Sequence, residues 1–263
     1  MKRFFKGLKG SYLALILLFL YSPIAIMIAF SFNAGKSRAK WEGFSFKWYG
    51  ELFNNAAIMD ALRITLTVAV IATVVSVILG TLGAIGIHAC KKGWATALIN
   101  LSYLPMTMPD IVTGLGFDRW NMIGTEGAVL YGMVYNYLPF MVLPIYTVLK
   151  KMDYSVIEAA EDLGCNPLRV MTRVVIPMSV PGIVSGVTMV FMPAVTSFAI
   201  STLLSNGKLR LAGDLIDYIF NQSSNPNRWN IGSSFSLMML VLILISIGFL
   251  RKVDPDSEGG GMW

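Results

Sequence analysis

The run LRITLTVAVIATVVSVILGTLGAIGIH, from Leu62 to His88, decides the fold class. It carries a single charge, Arg63, near its start. An α-helix rises about 1.5 Å per residue, so about 20 apolar residues cross a hydrocarbon layer of roughly 30 Å. The run is long enough to do so, and it lacks the alternation of apolar and polar residues that marks a strand of a membrane barrel. Runs of the same kind recur along the chain at Tyr12–Phe32, Ala95–Phe117, Ala128–Leu149, Pro181–Leu204 and Gly232–Leu250. The expected fold class is therefore all-α and integral to the membrane, with about six transmembrane helices. The third run is the most interrupted: it holds Pro105, Pro109, Asp110, Gly114 and Gly116, and only Asp118 to Gly127 link it to the fourth.

Composition agrees with these runs. Of 263 residues, 55% are hydrophobic and 14% charged, against roughly 25% charged in soluble globular chains. The mean hydropathy of +0.64 points the same way. A net charge of +6 would suggest a nucleic-acid partner in a soluble protein. In a membrane protein basic residues instead orient the helices and meet anionic lipid headgroups, so membrane lipid is the expected partner and nucleic acid is not.

Placing the amino terminus in the cytoplasm puts Lys2, Arg3, Lys6, Lys9, Lys91, Lys92, Lys150, Lys151, Arg169, Arg173, Arg251 and Lys252 inside, more than half of the 21 basic residues. Lys91/Lys92, Lys150/Lys151 and Arg251/Lys252 each sit at a span end, where the positive-inside rule has most force. Both termini are thus expected in the cytoplasm. The domain plan is a cytoplasmic stretch over residues 1–11, a membrane domain over 12–250 and an acidic, glycine-rich cytoplasmic tail over 251–263. The first apolar run follows four lysines and arginines in the manner of a secretory signal. It is too long and has no small-x-small cleavage pattern after it, so it is expected to stay as a helix. Outside, Trp41, Phe44, Phe46, Trp48, Tyr49 and Phe53 form an aromatic cluster expected at the membrane interface.

Several chemistries are not offered. Gly35-Lys36-Ser37 ends like a phosphate-binding loop, but the position five before Gly35 is Phe30 rather than glycine, and a membrane helix precedes it instead of a strand. His88 is the only histidine, which leaves no histidine-pair metal site and no H-E-x-x-H protease helix. No nucleophile, metal or cofactor constellation is expected in this chain. Broken helices are also used by secondary transporters, but their two halves echo one another and no internal repeat is evident here.

The loop between the fourth and fifth runs, residues 150–177, carries the informative pattern. Lys150 to Leu163 reads as a polar-faced helix whose Ile157, Ala160 and Leu163 recur at helical spacing, a small apolar face suited to a partner groove. Gly164 permits a left-handed turn, and Asn166-Pro167 has the form of an N-cap followed by proline at the first helical position. Pro177 is expected to end this second helix before the next span.

Glu158-Ala159-Ala160, three residues, Gly164, nine residues and then Val174-Val175-Ile176-Pro177 resemble the EAA loop of ABC importer permeases, with Val174 for isoleucine and Ile176 for leucine. Tyr21-Ser22-Pro23, Lys47-Trp48-Tyr49 and Met108-Pro109-Asp110 resemble one permease type of spermidine/putrescine importers. From about Gly132 onward, Leu138-Pro139-Phe140 and Asn227-Arg228-Trp229 look more like the partner type. Thr196-Ser197 stand where the first type carries an acidic pair, and the segment after Asp110 is shortened.

What the resemblance implies is the MetI-like, type I permease fold and a non-catalytic permease. It would dock on separate ATPase subunits, which hold ATP and magnesium, and work with a second permease and an extracytoplasmic binding protein. Glu158 would fix the coupling helix, Ala159 and Ala160 would allow close approach, and Gly164 would set the turn. In the substrate path, Asp110 costs on the order of 2–3 kcal/mol inside a span and so is expected to face a cavity or partner. The Trp48 indole would hold an ammonium group by cation–π attraction. The alternatives are an ABC permease for another small organic solute, or a secondary transporter or channel.

Overall fold

The computed structural model describes residues 2–36, 40–108, 112, 124–205 and 209–253. The described residues are helical throughout, apart from turns and one isolated antiparallel bridge between Asn33 and Phe44. The helices are α1 (Lys2–Ser31), α2 (Lys47–Asn54), α3 (Ala56–Ala89), α4 (Lys92–Thr107), α5 (Glu126–Lys151) and α6 (Ser155–Asp162). They continue as α7 (Pro167–Met178), α8 (Val180–Thr196), α9 (Ala199–Ser205), α10 (Ala212–Asn221) and α11 (Arg228–Val253).

Four helices among the described residues are long and apolar enough to cross a membrane: Tyr12–Ser31, Ala56–Ala89, Glu126–Lys151 and Arg228–Phe249. The pair α7 and α8, bent by 63°, makes up to five. The expectation of about six is corrected in the fifth run. Of the third run, the described residues include the 16-residue α4, which ends at Thr107 as Met108 turns extended, and a helical Val112; residues 109–111 and 113–117 lie outside the described residues. The fifth run is one apolar stretch in sequence but two helices in space, because Ser197 takes an extended backbone (φ −62°, ψ 133°) between α8 and α9. Hydropathy registers composition and is blind to that single dihedral change.

The chain forms two compact units, one of Met1–Met59 with Leu215–Leu242 and one of Asp60–Asp214 with Ile243–Trp263. In the first, polar side chains close the end of α1. A helix leaves its last four carbonyls without intrahelical partners, and inside a membrane protein these need protein donors. Asn230 Nδ2 donates to the carbonyls of Phe30 and Asn33 (3.1 Å each), and Ser234 Oγ donates to that of Ser31 (3.1 Å). Asn33 then organises the loop that follows: its Oδ1 accepts from the N–H groups of Gly35 and Glu42, and its Nδ2 donates to the Lys40 carbonyl. The short α2 is amphipathic, with Trp48 and Leu52, four apart, fully buried and Phe53 exposed.

In the second unit α5 is the central element, packed by α4, α8 and α9. Gly182 and Gly186 lie four apart on α8 and let it approach the α5 backbone. A β-carbon at Gly182 would stand 2.8 Å from Ile145 Cα, and one at Gly186 3.2 Å from Met141 Cα. Gly80 of α3 meets the same Met141, where a β-carbon would be 2.8 Å from Met141 Cβ. Fully buried Met141 thus fills a notch between two glycines. Small residues spaced by four are the means by which helices pack closely in lipid, where burial of apolar surface gives little drive.

Candidate functional site

The loop from Lys151 to Val180 is built by local rules. Lys150 and Lys151 sit in the last turn of α5, where positive charge suits the negative end of the helix dipole. Met152 then turns extended (φ −68°, ψ 135°), so the continuous helix expected from Lys150 to Leu163 is two helices. The cause is Asp153: its Oδ1 accepts the Ser155 N–H at 3.0 Å, a turn that competes with helix continuation. Hydrogen bonds from the Ser155 backbone and side chain hold the exposed Asp153 carboxyl below its ordinary pKa, against a weak opposing effect of burial.

The end of α6 is a complete Schellman turn. The Cys165 N–H donates to the Ala160 carbonyl at 3.1 Å and the Gly164 N–H to the Glu161 carbonyl at 2.8 Å. Gly164 has φ +79°, a conformation an L side chain adopts only at a penalty, and among the described residues nothing beyond its chain neighbours stands within 4 Å of where a β-carbon would be. The turn the sequence assigns to Gly164 therefore forms. So does the N-cap: Asn166 Oδ1 accepts the Arg169 N–H at 2.9 Å, with Pro167 at the first helical position.

Pro177 does not end α7, contrary to expectation. The helix widens into a π-turn over Met171–Val175, passes through Pro177 and breaks at Ser179. Pro181 accounts for the position of the bend, since it has no N–H to return to the Pro177 carbonyl four residues earlier. Ser179 secures the break, donating from both N and Oγ to the Val175 carbonyl at 3.0 and 2.6 Å.

Burial divides the loop into an inner and an outer side. Ala160, Val170 and Val175 are buried, and α6 packs on both the first turn and the π-turn of α7. Glu158, Ala159, Gly164 and Pro177 are exposed. The apolar face expected from Ile157, Ala160 and Leu163 is split. Ile157 is half-buried and Ala160 faces inward, whereas Leu163, already past the helix as its C-cap, is 85% exposed. After Leu163, Leu168 (66%) and Tyr154 (61%) are the barest large apolar side chains on this loop. Sequence periodicity missed them because they sit at helix ends, outside any repeating face.

The two substrate-path candidates have different outcomes. Asp110 lies outside the described residues. Trp48 is fully buried, its Nε1 donates to the Asn33 carbonyl at 2.6 Å, and the chain's own Lys47 ammonium stands 5.0 Å from the ring centroid. Lys47 also pairs with Glu51 at 3.8 Å, one helical turn on. The indole thus serves as an anchor for α2, with a cation already beside its ring.

In the first unit, an open cavity of about 500 Å³ is lined by Glu51, Asn54, Asn55, Ala56, Ile58, Asn225 and Ile231. A second, of about 300 Å³, is apolar and aromatic, with Phe30, Phe220 and Trp229 among its lining residues.

Comparison with known proteins places this architecture. Residues 76–258 match the family described as binding-protein-dependent transport system inner membrane component. The spermidine/putrescine transport system permease protein PotC of Escherichia coli K12 is 25% identical over 256 residues, 96% of this chain and 97% of the relative. The putrescine transport system permease protein PotI of the same organism is 32% identical over 203 residues, 71% and 70% of the two chains. In structure, a chain of a bacterial ABC transporter involved in the import of alginate superposes with a TM-score of 0.78 at 17% identity, covering 95% of this chain and 96% of that one. The EAA pattern with its Gly164 turn, the apolar spans and the match over most of the length together show that the chain belongs to the binding-protein-dependent transport system inner membrane components, as a membrane-spanning permease.

Proposed function

We propose that the chain is the permease of a polyamine importer, coupled through α6 and α7 to ATPase subunits. The observation that carries the coupling is the Schellman-ended α6: a rigid short helix leaving Leu163, Leu168 and Tyr154 bare at the end of two spans. A rigid helix transmits the motion of a partner as a body, where a floppy loop would absorb it. The substrate is proposed from the relatives, which are permeases of spermidine/putrescine and putrescine systems.

In this reading the chain has no cofactor of its own, and ATP and magnesium belong to the ATPases. A second permease completes the membrane pore, and an extracytoplasmic binding protein delivers the amine. The chain lies in a bacterial cell membrane with both termini in the cytoplasm, so the α6–α7 loop faces the ATPases. Glu158 and Ala159, exposed on α6, belong to the docking surface; Ala160, Gly164 and the prolines shape it. Asp110 is the proposed anionic point of the path in the third span.

The test is reconstitution of the four-component complex in vesicles with labelled spermidine. Expected is uptake that requires ATP and the binding protein. Uptake by this chain alone in a proton or sodium gradient would overturn the proposal. Asp110→Asn is expected to lower uptake at limiting spermidine while the complex still assembles.

A further inference from the structure

The break in the fifth apolar run brings together groups that the coupling loop does not use. The end of α8 at Thr196 places backbone carbonyls outside the helical ladder and gathers roughly half a negative elementary charge. The start of α10 is held close by. The Ala212 N–H donates to Thr65 Oγ1 at 2.6 Å, and at Gly213 a β-carbon would lie 3.1 Å from the carbonyl oxygens of both Thr196 and Ser197. A side chain there would be tightly crowded, so glycine suits the place where the chain passes those two oxygens.

The next residue is Asp214, half-buried. Its Oδ1 accepts from Thr202 Oγ1 at 2.8 Å, and the same hydroxyl stands 2.8 Å from the Phe198 carbonyl. A threonine hydroxyl has one proton, so these two acceptors share it. A carboxylate offers about four lone-pair sites, and among the described residues it forms no ion pair. Ser197 adds an independent observation: its hydroxyl is buried, with 8% of the residue exposed, and has no hydrogen-bond partner among the described residues. A buried hydroxyl left unpaired is unfavourable by about 1–3 kcal/mol, and a bound donor would relieve that.

Thr196 and Thr202 are exposed within this run, where lipid would be a poor solvent for them. From Val180 to Thr196, α8 rises about 24 Å at 1.5 Å per residue, most of a crossing of about 30 Å. An under-paired carboxylate at such a depth faces water or a partner, and carbonyls at the ends of broken helices are groups that coordinate cations.

We infer that this break is a binding site for an organic ammonium group, held by the Asp214 carboxylate with the Thr196 and Ser197 carbonyls and the hydroxyls of Ser197 and Thr202. It rests on the polyamine reading above and assigns the fifth run a carboxylate brought in from α10. An ammonium group suits the set, because its three N–H donors meet acceptors on separate elements.

The test uses the complete complex in vesicles. Wild-type uptake of spermidine comes first: its absence sinks the polyamine reading rather than the site. Given wild-type uptake, Asp214→Asn raises KM for spermidine at least tenfold, and Asp214→Glu restores it to within about threefold. Thr202→Val raises KM two- to threefold. An assembled Asp214→Asn complex with unchanged KM overturns the site. If that variant fails to copurify with its partners, Thr202→Val decides, and an unchanged KM there overturns it equally. A KM that depends on sodium in the wild type, with only that dependence lost in Asp214→Asn, would show a metal-ion site and also overturn the proposal.

Discussion

Two kinds of glycine stand out in the second unit. Gly164, among the described residues, has room for a β-carbon and is needed for its backbone angle, φ +79°. Gly182 and Gly186 lie within a helix and are needed for what they lack, since a β-carbon on Gly182 would enter the α5 backbone and one on Gly186 would collide with the Met141 side chain and crowd its Cα. The first kind shapes the exposed loop proposed for docking, and the second sets how closely two spans pack. Substitutions at the two should therefore fail differently: the packing glycines in assembly, the turn glycine in coupling.

The largest effect is expected at the seam. Gly186→Leu would drive a branched side chain into Met141, and overpacking of this kind destabilises by about 1–3 kcal/mol or more. The yield of monodisperse permease in detergent should collapse. A melting curve within a degree of wild type would show that α8 and α5 do not meet through their backbones.

Next comes the bare apolar surface. Leu163→Asp combined with Leu168→Asp should cut copurification of the ATPase at least tenfold and leave the permease melt unaltered, because both side chains are exposed. Full retention of the ATPase would remove these residues from the interface.

Gly164→Val sharpens the contrast. A left-handed backbone costs an L residue about 1–2 kcal/mol, so the Schellman turn shifts while membrane insertion continues. Uptake should fall about tenfold, and Gly164→Asn should lose less, since asparagine tolerates this conformation. Full substrate-stimulated ATPase activity in Gly164→Val would contradict the assignment.

The smallest effect belongs to Asp153. Its pKa is lowered in the folded chain, so its contribution is complete above the ordinary carboxylate range and is lost as pH falls through the lowered folded value. Amide protection at Ser155 should weaken in that acidic window. Asp153→Ala should show the weakened protection at neutral pH, with uptake reduced twofold or less. Equal protection in mutant and wild type would mean that the helix starts without this cap.

Outcomes that depended on a single cap or turn between neighbours in sequence were legible in advance. Asn166-Pro167 starts a helix and Gly164 ends one because cap and turn are bonds between residues three to five apart. The split at Met152 was also local, but the turn at Asp153 competed with an apolar period that favoured continuation. The bend at Ser179 rather than Pro177 turned on which proline lost the more important donor, and the π-turn absorbed the other.

Trp48 was readable as an interfacial aromatic or a cation–π partner but not as a buried residue. Its enclosure depends on the Asn33 carbonyl 15 residues earlier. The same holds for Asn230 and Ser234, which close the end of α1 from about 200 residues away.

By itself, the sequence determined that the chain is helical and membrane-bound and that it carries a capped helix-turn-helix loop with the EAA pattern, because hydropathy, period and cap chemistry act over a turn or a span. Only the tertiary structure decided which glycines are spacers, which apolar residues stay bare, and that Asp214 comes to lie beside Thr202 and next to the glycine that passes the broken end of α8. Those outcomes depend on which side chains meet across separate helices, and in a chain so uniformly apolar, composition does not distinguish one pairing of helices from another.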